Sequence, residues 1–120
     1  MMTHADTEKD ATATMRKALN VNADPAKANV LARRADHRAT VTLAATGAPV
    51  PRPLLIHFRS ASARIEGCSA FTNPEGVAEC GSGGNLSVEY ITDAVLSGYF
   101  AVFDGDEEYE PAEGHASLVV

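Results

Sequence analysis

The sequence predicts an all-β fold of about seven short strands packed as two antiparallel sheets, behind a flexible N-terminal arm. Three observations lead there. From Asn29 onward apolar residues recur with period two in short runs, Gly, Pro and Asn clusters separate those runs, and helical periodicity is nearly absent. At 120 residues, 45% hydrophobic but only 6% aromatic and without Trp, the chain has the size of one compact domain.

Residues 1–27 are rich in Ala, Thr, Asp, Asn and Lys, with Leu19 and Val21 as their only branched aliphatics. Such a segment buries little apolar surface and reads as a mobile arm. The sandwich is then expected over 28–120. Ala39-Thr40-Val41-Thr42-Leu43-Ala44-Ala45 alternates as a half-buried strand, with Val41 and Leu43 opposite Thr40 and Thr42. Three prolines in 47–53 make a loop or sheet edge, because Pro cannot donate to a ladder. Leu54-Leu55-Ile56-His57-Phe58-Arg59 is the second strand, with Leu54, Ile56 and Phe58 inward.

Residues 63–72 follow, then the turn Asn73-Pro74-Glu75-Gly76, in which Pro supplies a fixed φ and Gly a left-handed position. Val77-Ala78-Glu79-Cys80 resumes extended chain, so Cys68 and Cys80 flank an expected hairpin. A cross-strand disulfide fits there if the Cα atoms come within about 4.4 to 6.8 Å; two free thiols are the alternative. Gly81-Ser82-Gly83-Gly84 breaks the chain, Leu86-Ser87-Val88-Glu89-Tyr90-Ile91 reads as a further strand, Tyr99-Phe100-Ala101-Val102-Phe103 as a core strand, and 116–120 as the last. The number and spacing match an immunoglobulin-like sandwich.

Three ordered stretches resemble the bacterial immunoglobulin-like repeat domains of surface proteins, adhesins and phage structural proteins. They are Ala39-Thr40-Val41-Thr42-Leu43 with Gly47 and Pro49-Val50-Pro51; the Cys68 to Cys80 segment with its Asn73-Pro74-Glu75-Gly76-Val77-Ala78 turn; and Ala101-Val102-Phe103-Asp104-Gly105-Asp106-Glu107-Glu108-Tyr109-Glu110-Pro111. The stretch 81–97 is longer than that family usually carries, and the segment before Ala28 has no counterpart in it. The resemblance implies a non-catalytic spacer, adhesive unit or docking surface, and fold analogy leaves the partner open.

Enzyme signatures are missing: there is no His-Glu-x-x-His, no Gly-x-Ser-x-Gly, and the Gly81–Gly84 stretch lacks the Gly-Lys-Ser/Thr of a phosphate loop. The expectation is a non-enzymatic chain without a cofactor. His4, His37, His57 and His115 lie scattered and read as ordinary histidines, and two cysteines without companions do not make a structural zinc motif. Glu66 and Glu79 beside the cysteines have the wrong sign to activate a thiol, which favours a structural disulfide over a redox pair. The clustered carboxylates of the 104–110 loop, with Asp104, Asp106 and Glu108 as the candidate ligands, support the alternative of a small-ligand or Ca²⁺-binding domain. Asn85-Leu86-Ser87 fits the glycosylation pattern, a short and frequent match.

Charge is divided along the chain. Residues 1–64 hold ten basic and five acidic groups, and residues 65–120 hold eleven acidic groups and no base, for a net charge of -6. An acidic chain is a poor partner for nucleic acid. No apolar stretch, residues 53–58 included, approaches the roughly 20 residues of a transmembrane helix, and no secretory signal peptide is visible, so membrane insertion is not expected. Folding either sets the two signs on opposite ends or interleaves them. In the first case Arg33, Arg34, Arg38 and Arg52 form a partner-binding face toward a capsid, tail lattice or surface assembly, or toward a second copy. The leading expectation is thus a structural or adhesive module of a virion, such as a phage decoration or tail protein, or of the bacterial cell surface.

Overall fold

The computed structural model describes residues 15–120; the rest of the expected arm, His4 included, lies outside the described residues. Among the described residues ten strands and one helix follow in order: β1 (Leu19–Ala23), β2 (Ala26–Asn29), β3 (Arg34–Ala35), β4 (His37–Leu43), β5 (Leu55–Ser60), β6 (Glu66–Phe71), β7 (Val77–Cys80), α1 (Val88–Ser97), β8 (Tyr99–Phe103), β9 (Ala112–Ala116) and β10 (Leu118–Val119). They build three sheets, ordered β1-β4-β7, β10-β2-β3 and β6-β5-β8-β9. The pairing is antiparallel except for β10 beside β2.

The core lies between the β1-β4-β7 sheet and the four-stranded sheet. Period-two alternation sends Leu19 and Val21 of β1, His37, Ala39 and Val41 of β4, and Ile56, Phe58 and Ser60 of β5 inward. Tyr99, Ala101 and Phe103 of β8 face them. The reading of β4 and β5 from the sequence agrees with these faces.

The all-β sandwich is corrected at three places. The segment Leu86 to Ile91, read as a strand, enters α1: Tyr90, Ile91 and Ala94 are its buried residues, a helical spacing. Ser87 caps the helix, its Oγ accepting the Tyr90 N–H at 3.0 Å, and Gly98 (φ +87°) ends it by donating its N–H to the Ala94 carbonyl at 2.7 Å. The β-branched Val88, Ile91, Thr92 and Val95 had disguised it, since such residues favour strands. Residues 19–27, expected within the arm, instead hold β1 and the start of β2; β1 pairs with β4 along its whole length, from Leu19↔Leu43 to Ala23↔Ala39. Two alternating aliphatics were enough for a strand covered on one side. Last, β10 runs parallel to β2 and completes a third sheet. A mixed α/β fold with three sheets therefore replaces the two-sheet immunoglobulin-like sandwich, and the family resemblance fails with it.

Candidate metal centre

Strand pairing brings three potential ligands to one point. Cross-strand partners share a face of a sheet. His37 of β4 is paired with Cys80 of β7, and Phe58 of β5 with Cys68 of β6. Because His37 and Phe58 point into the core, both cysteines point toward it, one from each sheet. The Cys68–Cys80 disulfide is present, with Cα atoms 6.3 Å apart. It is not the cross-strand bond of a hairpin, for β6 is laddered to β5 and β7 to β4; it staples the two sheets together.

A β-bulge sets this geometry. Phe58 pairs with Cys68 but Arg59 with Glu66, so Gly67 is the extra residue. The bulge lets Cys68 face inward while Glu66 faces outward to take the Arg59 guanidinium at 3.0 Å and the His57 ring at 2.9 Å. Gly67 is required by packing as well: a Cβ there would stand 2.6 Å from the Tyr90 ring. Gly81, at φ +96°, likewise leaves room for His37, whose Nδ1 a Cβ would meet at 2.7 Å.

His37 is buried among the rings of Phe58, Tyr90 and Tyr99, at centroid distances of 5.3, 5.7 and 4.9 Å. Its Nδ1 lies 3.2 Å from the Cys80 carbonyl, which only accepts, so Nδ1 carries the proton. Nε2 then accepts from the Tyr90 hydroxyl at 2.7 Å. Burial lowers the His37 pKa, against smaller opposing contributions from the backbone at Cys80 and Ala35 and the charge of Asp36. The imidazole is therefore neutral at neutral pH. Burial also raises the Tyr90 pKa, and pushes that of Tyr99 up to about 12. The Tyr99 hydroxyl bonds to the carbonyls of Asp24 and Arg38 and joins β8 to the chain around β4.

The Nδ1 atom of His37 lies 3.8 Å from the Cys68 Sγ, and one ligand atom from each of His37, Cys68 and Cys80 falls within 4.8 Å of the others. Among the described residues this is the one such group of three. A cavity of about 390 Å³ opens on it, lined by His37 and Cys80 together with Asp24, Asp36, Arg38 and Glu79. Sequence reading missed His37 as a site residue, although it has the parity of Ala39 and Val41, and missed Tyr90 because its segment was read as a strand.

The remaining candidates are placed elsewhere. Arg52 holds Asp106 at 2.6 Å and Glu108 at 3.2 Å and covers the Tyr109 ring, 5.0 Å from its centroid. Asp104 binds Arg59 at 3.2 Å, so the three acidic-loop carboxylates are divided between two guanidinium groups. Arg38 lies between Asp24 and Glu79, 3.5 Å from each, and Arg64 pairs with Glu113 at 3.0 Å. Arg33 and Arg34 stand at the β2–β3 hairpin. His115 has its Nε2 3.0 Å from the Ser97 carbonyl. The sign division along the sequence is thus undone in space: basic groups of the first half lie on acidic groups of the second.

Compared with protein-family models, curated proteins and solved structures, the chain matches none. Two further expectations are corrected here. A passive adhesive module of a virion or cell surface loses its basis once the immunoglobulin-like fold is replaced, and nothing ties the chain to phage structures. The expectation of a non-enzymatic protein is also set aside, because the fold brings together His37, Cys68 and Cys80, three side chains of a kind that could hold a metal ion.

Proposed function

We propose that this domain binds a soft divalent metal ion such as zinc, through Cys68, Cys80 and His37, once its disulfide is reduced. The convergence of one nitrogen and two sulfurs within 4.8 Å carries the reading. Zinc bonds of about 2.3 Å to sulfur and 2.0–2.1 Å to nitrogen place tetrahedral N and S ligands roughly 3.6 Å apart, close to the 3.8 Å between His37 Nδ1 and Cys68 Sγ, and the two sulfurs, bonded to each other here, separate to roughly 3.8 Å on reduction to fit the same ion. The thiolate, not the cystine sulfur, is the ligand. A dithiol reductant delivers two electrons and two protons to the S–S bond, and its own two thiols leave as a disulfide. Metal binding then expels both cysteine protons to solvent through the cavity, so affinity rises with pH.

His37 suits the role because it is already neutral. When Nδ1 gives its proton up to become a ligand, the ring's tautomer reverses and Nε2–H donates to the Tyr90 oxygen, the kind of outer partner that orients a ligating histidine. Three protein ligands would leave one position of a tetrahedral ion for water or a small ligand.

Titrating the reduced protein with Co²⁺ tests this. The expected result is a sulfur-to-cobalt charge-transfer band saturating at one ion per chain, absent from the oxidised protein and from Cys68→Ser/Cys80→Ser, and weakened in His37→Gln. A reduced, folded protein that develops no such band would overturn the reading.

A further inference from the structure

We infer that the β2–β3 hairpin is a docking tip for the anionic surface of a lipid bilayer, a role separate from the metal centre. Its four-residue turn reads Val30-Leu31-Ala32-Arg33, where turns ordinarily carry Gly, Asn, Asp or Ser. Leu31 is 98% exposed and Val30 47% exposed, so one large aliphatic side chain stands free at the end of the hairpin with a half-exposed second beside it. The turn is nevertheless well tied: Ala32 N–H donates to Asn29 Oδ1 at 3.0 Å, Arg33 N–H to the Val30 carbonyl at 3.2 Å, and Leu86 N–H to the Arg33 carbonyl at 3.0 Å. Arg33 holds a left-handed φ of +51°, uncommon for a residue other than Gly.

The charge around this tip is the second observation. Lys17, Arg38, Arg52, Arg59 and Arg64 all have carboxylate partners, and Arg16 donates to the Asp106 carbonyl. Lys27, Arg33 and Arg34 are in no ion pair among the described residues, and all three belong to this hairpin. Val119, 50% exposed, is paired with Lys27 on the neighbouring β10, and Val120 lines the adjoining hollow with one carboxylate, Asp36.

An aliphatic point within a collar of cations fits the boundary between headgroups and acyl chains, where no shape complementarity is needed. A protein partner would need about 800 Å² of complementary surface on each side, and a four-residue turn offers much less. Among the described residues no helix is long and apolar enough to cross a membrane, so the mode proposed is surface docking.

The test is co-sedimentation of the full chain with vesicles of phosphatidylcholine plus phosphatidylserine, against pure phosphatidylcholine. Expected is partition into the anionic vesicles only, weakened by added salt, lowered about fivefold by each of Lys27→Gln and Arg34→Gln, and abolished by Leu31→Asp. Leu31 touches no core residue, so a far-ultraviolet spectrum and intact disulfide establish that this variant is folded. No partition into anionic vesicles, equal partition into neutral ones, or an unaffected Leu31→Asp would each overturn the inference. So would a soluble acidic protein captured through Leu31 by a chain that ignores vesicles.

Discussion

Replacing both Cys68 and Cys80 by serine cuts the one covalent tie between the two large sheets, and its cost can be worked from the chain. The cysteines are 12 positions apart. Closing a loop of that length removes denatured-state entropy equivalent to about 3 kcal/mol. For a chain of 120 residues each kcal/mol moves Tm by roughly 4 °C, so a fall of about 12 °C is expected. Release should also be local. No residue of β6 is fully buried, and β7 has only Ala78. These strands are held by their ladders and the staple, and β6 is open on its other edge. Denaturant unfolding of the oxidised parent and the double variant measures the loss, and hydrogen exchange shows where it falls, with the β6 amides quickening ahead of those of β5 and β8. A loss under about 1 kcal/mol with an unchanged denaturant slope, or exchange that quickens uniformly, would refute the reasoning.

Tyr90→Phe strips the hydroxyl from Nε2 of His37 and leaves a buried acceptor unpaired, for an expected loss of about 1–3 kcal/mol; equilibrium unfolding measures it. Gly67→Ala drives a Cβ into the Tyr90 ring and costs about 1–3 kcal/mol by overpacking, readable in the same assay. Stability should fall in two stages on acidification, as seen in Tm against pH at constant ionic strength. The folded pKa of His37 is below 6.5, so the unfolded chain binds more protons between those values, and stability falls as pH drops below 6.5; His37→Gln should lack this stage. Asp93, Asp104 and Asp106 are held below 3.8, chiefly by the Ala63 N–H, Arg59 and Arg52 respectively, so their contribution is present above that value and fades as pH falls through the folded pKa values. Added salt should shrink the Asp104 and Asp106 part of the second stage and spare the first, since the Arg59–Asp104 and Arg52–Asp106 ion pairs are open to solvent and His37 is buried.

The faces of β4 and β5 were legible because both strands are covered on one side, which writes burial into every second residue. The helix was not, because half of its β-branched residues serve packing rather than propensity. β1 was hidden by economy: Leu19 and Val21 alone supply its buried face, too little apolar content to look like core until Leu43 and Val41 lie opposite. At the site, both cysteines and their bond were visible as a pair. His37 was visible only as a residue of the right parity, and Tyr90 lay in a segment assigned to the wrong structure.

The sequence by itself determined one domain-sized chain, the alternating strands, the turn at 73–76 and a charge division of ten bases before residue 65 against eleven acids after it. Those are local properties, written in neighbouring side chains. Which strand lies beside which depends on contacts between residues far apart in sequence, and these the tertiary structure decided. It set Cys68 and Cys80 in different sheets, put His37 between them, and laid Arg52, Arg59 and Arg64 on Asp106, Asp104 and Glu113. The charge division that suggested two poles became internal pairing, because strands drawn from both halves of the chain share each large sheet.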